Sequence, residues 1–434
     1  MLPINSQDST HSIEMPNIRD EEDPVNKKYS SLLSLIIQSR LLRRIRIEDS
    51  RKLIHSIKVG FALVLVSLLY FLQPLFQQVG DNAMWAIMTV VVVFEFTAGA
   101  TLSKGINRGV GTIIGGGLGC VAALIAQKIG GISRAITIST SVFVFGALAS
   151  YSRLVPSIKR KFDYGAMIFI LTFNLVAVSC PRGEEIIKIA GDRLSTIGIG
   201  FAICVFTSVF IFPIWAGDEL HRSLVSKFDN IALSIEVCLK EYFKPLDLKT
   251  ETHASAGISS YKSMLHTRPA DEMMTNFAKW EPWHGKFGFS YPWDKYLRLG
   301  ELLRELAACV LSLEGCMHSH RQSPPSLKLA IKEPCEAMGK LLSFSLRELS
   351  DDIFNMHQCL PWGLIAAKLR LMRLELISAI SVSNLRTPEN GNGTTDDALP
   401  IASFAFILMQ MVDKVEALAK EVEELGDLAG SLIH

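Results

Sequence analysis

Six apolar runs fall within about 160 residues: Val59–Phe76, Ala83–Phe96, Val110–Ala126, Ala135–Ala149, Gly165–Cys180 and Leu194–Trp215. A helix that crosses a bilayer takes roughly 20 apolar residues. The first and sixth runs meet that length alone. The second and fifth need their flanks or the shelter of a bundle. Any one run is compatible with a buried soluble helix. Six in succession, with links of about 6 to 15 residues, point to a membrane bundle.

The charge balance supports a chain of two halves. The total is 44 Lys and Arg against 43 Asp and Glu, a formal net charge of +1, with 49% hydrophobic residues. Mean hydropathy is +0.28. That apolar content excludes a wholly disordered chain, and the neutral sum excludes nucleic-acid binding driven by bulk basicity. Between Arg51 and Ala216 there are 14 basic and 6 acidic side chains, a balance of +8, which leaves −7 for the rest.

The first 30 residues are polar, with acids at Asp20, Glu21, Glu22 and Asp23. They lack the apolar core of a cleaved signal, so the N-terminus is expected to be cytosolic. From Ser31 to Ile47, apolar residues at helical spacing are mixed with Arg40, Arg43, Arg44 and Arg46, as in a helix lying on an anionic membrane face or the end of a soluble helix. With this end inside, the cytosolic segments carry 15 basic residues and the outer loops carry 5: Lys128, Arg134, Arg182, Lys188 and Arg193. That is the asymmetry of the positive-inside rule. Six spans return the C-terminus to the cytosol as well.

After Gly217 charges recur every few positions, with helical apolar periodicity in Leu297–Leu313, Leu341–Ile353 and Ile401–Leu425. Breakers stand at Pro245, Pro324, Pro325 and Pro361, across Trp280–Trp293, and in the segment Asn384–Pro400. The expected organisation is an N-terminal cytosolic tail with a basic amphipathic segment (1–48), a six-span domain (49–216) and a cytosolic helical domain (217–434). The fold class is an all-α membrane protein.

Catalytic and metal-binding patterns do not emerge. None of the 10 histidines lies in an apolar run, which argues against haem or a proton relay in the bundle. There is no phosphate-cradling Walker loop, and no GxSxG or HExxH motif. The 8 cysteines are scattered singly, as reduced thiols that pack like small hydrophobes. The chain is read as neither an enzyme nor a holder of a cofactor or metal.

The charged residues near span ends are the informative ones. Lys58 opens the first run, Lys104 and Arg108 stand four apart between the second and third, and Arg193 opens the sixth. Charge at membrane depth is costly and faces water, headgroups or a partner. A ring of such bases selects anions; each base singly also serves topology. Glu95 is the single acid inside a run, and Lys104 or Arg108 is its expected partner, in a structural ion pair or a gate. Trp85 stands at a span end, where interface anchoring is the default. Gly111, Gly115 and Gly119 form a small-residue stripe suited to close helix packing.

Five long segments resemble one family, in its order. They are Gly80–Thr112 (GDNAMWAIMTVVVVFEFTAGATLSKGINRGVGT), Phe162–Ser179 (FDYGAMIFILTFNLVAVS), the pair GDRLSTIGIG and FPIWAGDELH around the sixth run, WEPWHGKFGFSYPWDKY, and VEELGDLA. They resemble the plant aluminium-activated malate transporters across about residues 48–430. The resemblance implies a homodimeric anion channel with six spans per subunit, a helical cytosolic domain and a basic pore between the subunits. The implied partners are malate and other anions, membrane lipid and a second copy, with no nucleic acid. The implied location is the plasma membrane in preference to the vacuolar membrane. The resemblance puts Arg193 of the GDRLSTI motif first among pore cations, then Lys104 and Arg108. It makes Glu281 of the WEP motif a gating candidate. From the residues themselves, Glu95 and Trp85 join it as candidates for a gate or a structural pair. The alternatives are a coupled carrier or aromatic-acid exporter of related topology, and a membrane-anchored interaction protein.

Overall fold

The computed structural model describes residues 49–68, 71, 84–179, 183–244, 261–285, 287–288, 291–317, 325–356, 363–385 and 399–433. Contacts divide the chain into Met1–Ile57 and Lys58–His434. In the first unit, residues 49–57 are helical. The predicted tail and basic amphipathic segment (1–48) lie outside the described residues.

The second unit opens with helical residues 58–68. The helices that follow are α1 (Met84–Val93), α2 (Ala98–Ile129), α3 (Gly131–Leu154), α4 (Pro156–Ser179) and α5 (Gly183–Phe210). Next come α6 (Ala216–Tyr242), α7 (Arg268–Ala278), α8 (Trp293–Met317), α9 (Pro325–Asn355), α10 (Gly363–Leu385) and α11 (Leu399–Ile433). Among the described residues the only β pairing is an isolated bridge between His284 and Phe287. The described residues form an all-α fold.

Four helices are long and apolar enough to cross a membrane: Ala98–Ile129, Gly131–Leu154, Pro156–Val178 and Gly191–Phe210. They hold most of the last four predicted runs, the sixth of which continues past Phe210 to Trp215 at the start of α6. The second run forms α1, whose 10 residues rise only about 15 Å, half a hydrocarbon core. The first run lies partly outside the described residues. The predicted links of 6 to 15 residues need correction. Gly130 alone separates α2 from α3, and Val155 alone separates α3 from α4. The charges assigned to loops therefore lie inside helices: Lys104 and Arg108 in α2, and Lys159, Arg160 and Lys161 in α4.

Packing of the bundle follows its small residues. A Cβ at Gly115 would stand 2.7 Å from the Phe169 carbonyl oxygen, and one at Gly119 would stand 3.0 Å from Val176. The glycine stripe is thus the contact by which α2 lies on α4. Gly200 does the same for α5 against the Ala86 carbonyl of α1, again at 2.7 Å. Outward faces stay apolar: Ile132, Phe143, Leu148 and Leu154 of α3 are all exposed. Apolar faces this extensive are those of an interaction or membrane surface.

The helical half has one large core. Phe228, Ile231 and Ile235 of α6 meet Leu299, Leu303 and Leu306 of α8, Leu342 and Leu346 of α9, and Phe404 and Leu408 of α11. The Tyr242 and Phe404 rings stack at 3.7 Å. One buried acid organises its polar part. Both carboxylate oxygens of Asp271 accept from Lys227 Nζ at 2.6 Å, and Arg304 donates to one at 3.0 Å. Burial lowers the pKa of Lys227 while Asp271 opposes that shift. Asp271→Ala strands the buried Lys227 and the partly buried Arg304. It is expected to destabilise this half by roughly 3 to 5 kcal/mol. Thermal unfolding in detergent measures this; an unchanged Tm contradicts it.

Candidate functional site

The sequence around α2 builds a short charged entry before the apolar part begins. Thr97 caps the helix, accepting from the Ala100 amide at 3.4 Å. Lys104, two turns in, forms an ion pair with Glu95, which precedes the cap. Of the two bases expected to partner Glu95, Lys104 does so. Its Nζ also lies 5.9 Å from the centre of the Tyr164 ring in α4.

Arg108 follows Lys104 by one turn and is buried. It donates from NH1 to the Tyr164 hydroxyl at 3.1 Å, while its buried Nε has no hydrogen-bond partner. Tyr164 therefore sits between the two bases. The sequence held it in plain view in the FDYGAM segment, but only the α2–α4 packing brings it to them.

Arg193, in α5, is only 4% exposed. Its guanidinium carbon stands 3.5 Å over the Trp85 ring of α1. Trp85 is thus a partner of Arg193. Arg193 Nε is buried and unpartnered. Among the described residues no carboxylate forms an ion pair with Arg193. The aromatic face attracts the cation without neutralising it, a contact worth about 1 to 2 kcal/mol.

A cavity of about 280 Å³ opens beside Arg193, lined also by Thr112, Gly116, Cys120, Thr172 and Val176. Its wall is largely apolar with a few polar groups, the character of a small-molecule site. An uncompensated buried cation in such a wall attracts negative charge.

Lys58 stands apart from this cluster. It is 1% exposed, and its Nζ donates to the Ser208 carbonyl at 3.3 Å and the Phe212 carbonyl at 3.5 Å. These oxygens lie at the C-terminal end of α5, where a cation meets the negative pole of the helix. Phe212 itself has a φ of 45°, a left-handed turn just past the helix.

Glu281 occupies the joint between the apolar helices and the helical half. It is 5% exposed. Its carboxylate accepts from the amides of Gly99 at 3.2 Å, Ala216 at 2.5 Å and Gly217 at 2.9 Å. Those amides open α2 and α6, so one carboxylate faces two helix N-termini, the end that favours negative charge. Burial pushes its pKa up, and the amide donors oppose that. Beside it, the Trp215 and His284 rings stack at 4.1 Å, so Trp215 too has a protein partner.

Known proteins resemble this chain over most of its length. Residues 43–392 match the family model described as aluminium activated malate transporter. Aluminum-activated malate transporter 12 of Arabidopsis thaliana is 42% identical over 333 residues, 77% of this chain and 59% of that protein. The chain thus matches about three fifths of that relative's length. Aluminum-activated malate transporter 2 of Arabidopsis thaliana is 38% identical over 89% of this chain and 77% of its own. Aluminum-activated malate transporter 1 of Triticum aestivum is 36% identical over 88% of this chain and 83% of its own. With the family model matched over most of its length, the chain belongs to the aluminium activated malate transporter family.

Proposed function

We propose that the chain conducts malate and other anions passively across a plant membrane, down their electrochemical gradient. The observation that carries this is Arg193, a buried cation held on Trp85, without a carboxylate partner among the described residues, in the wall of a cavity among apolar helices. Arg108 extends the positive charge along α2 toward its N-terminus, where Lys104 is paired with Glu95. Lys58 is assigned to capping α5, because its neighbours are carbonyl oxygens.

The proposed assembly is a homodimer with the path between subunits and six spans in each. Two spans come from the first run and from α1 with its flanks, and four from α2 to α5. In this reading the tail (1–48), the span domain (49–216) and the cytosolic helical domain (217–434) divide the work, both termini face the cytosol, and the plasma membrane is the site of action.

Reconstituted vesicles test the proposal. Radiolabelled malate is expected to enter under a malate gradient alone, with no proton gradient. Uptake that requires protons in fixed ratio supports a coupled carrier. No flux with intact partner binding supports an anchored interaction protein.

Glu95→Gln removes one partner of a half-exposed ion pair at the α2 cap. It is expected to change the voltage dependence of the current and leave the order of anion permeabilities intact. A change in that order with unchanged voltage dependence contradicts the structural role.

A further inference from the structure

Thr112 lies one turn beyond Arg108 on α2, and it lines the cavity that holds Arg193. It is 5% exposed. Helix-borne hydroxyls in this bundle usually bond the carbonyl four residues back. Thr89 does so to Trp85 at 2.7 Å, and Ser141 to Thr137 at 2.8 Å. Thr112 does not: its Oγ1 is buried and has no hydrogen-bond partner. A buried hydroxyl without a partner is costly, and such a group asks for an explanation. Here it stands on the cavity wall that also carries an unpartnered buried guanidinium nitrogen.

We propose that Thr112 is the specificity-determining residue of this cavity, donating its hydroxyl hydrogen to an oxygen of a bound carboxylate anion. The inference rests on the proposed anion conduction and adds what selects among anions. A halide is a single centre that one guanidinium satisfies. A dicarboxylate carries a second oxygen cluster, which needs its own donor in a wall that is otherwise largely apolar. Thr112 supplies that donor. A site that hydrogen-bonds a polar group discriminates strongly against ligands lacking it. Cys120, two turns beyond Thr112 on the same helix, lines the same cavity and serves as a native reporter.

The test is ion substitution on the full chain. Thr112→Val keeps the shape and removes the hydroxyl. Its malate-to-chloride permeability ratio is expected to fall about tenfold, the effect of one lost charge-assisted hydrogen bond. Thr112→Ser is expected to keep the parent ratio within about twofold. A valine variant with the parent ratio overturns the assignment, and so does a serine variant that behaves like valine. If the parent conducts no anion, the conduction proposal fails instead. A second measurement needs no variant: modification of Cys120 by an anionic methanethiosulfonate, read by mass spectrometry. Malate is expected to slow it more than chloride at equal concentration. Equal rates in the two salts overturn the proposal.

Discussion

Arg193→Glu is expected to reduce malate current at least tenfold, with surface expression and dimerisation unchanged. The reasoning is electrostatic. The parent side chain is a buried cation with no carboxylate partner among the described residues, so its field is available to an anion in the adjoining cavity. A unit charge about 4 Å away is worth about 4 kcal/mol at an effective dielectric of 20. Reversal turns that attraction into repulsion, and each 1.4 kcal/mol is tenfold. Arg193→Gln removes the charge without reversing it and is expected to fall between the two. Trp85→Ala leaves the charge but frees the guanidinium from its ring, so it is expected to weaken current less than either. Patch-clamp recording with surface labelling reads all three. Full malate current in Arg193→Glu removes that residue from the path.

The second large effect is at Glu281. Its carboxylate gathers three amides that open α2 and α6. Glu281→Ala leaves those buried donors without an acceptor, a loss of roughly 3 to 5 kcal/mol in a site closed to water. The space is also closed: a Cβ at Gly217 would stand 2.6 Å from the Trp293 ring and 3.3 Å from a Glu281 oxygen. The expected result is loss of current together with faster proteolysis at the joint between the apolar helices and the helical half. Glu281→Gln retains one acceptor oxygen and is expected to be milder on both measures. An alanine variant with parent current and parent proteolysis rate contradicts the clamp.

The apolar runs, the glycine stripe and the long C-terminal helix were legible in the sequence because each rests on a local pattern. Gly111, Gly115 and Gly119 are one turn apart, so their shared face follows from helical geometry alone. Helix ends were not legible, for a physical reason. Hydropathy reports the cost of transfer to lipid, and it says nothing of where backbone hydrogen bonding stops. Lys104, Arg108 and Lys159 therefore read as loop charges when they are helical residues. The sixth run reaches Trp215 by hydropathy, and α5 stops at Phe210.

Partnerships were less legible than elements. Arg193 stood out from its placement and from its motif, but nothing local linked it to Trp85, far earlier in the chain. Lys58 shared the span-end placement of Arg193 but not its motif, and its own partners are the Ser208 and Phe212 carbonyls. Asp271 carried no signal at all. It is one acid among many in a polar segment until the packing of α6, α7 and α8 closes two cations around it. Thr112 had a signal that went unused: the four-residue spacing from Lys104 through Arg108 continues to it.

The most direct measurement is the reversal potential of the parent protein under a malate gradient, with an impermeant cation and at two values of pH. Passive conduction predicts a shift of about 30 mV for each tenfold change in divalent malate, at both pH values. A reversal potential that ignores malate, or that follows the proton gradient instead, would contradict the account.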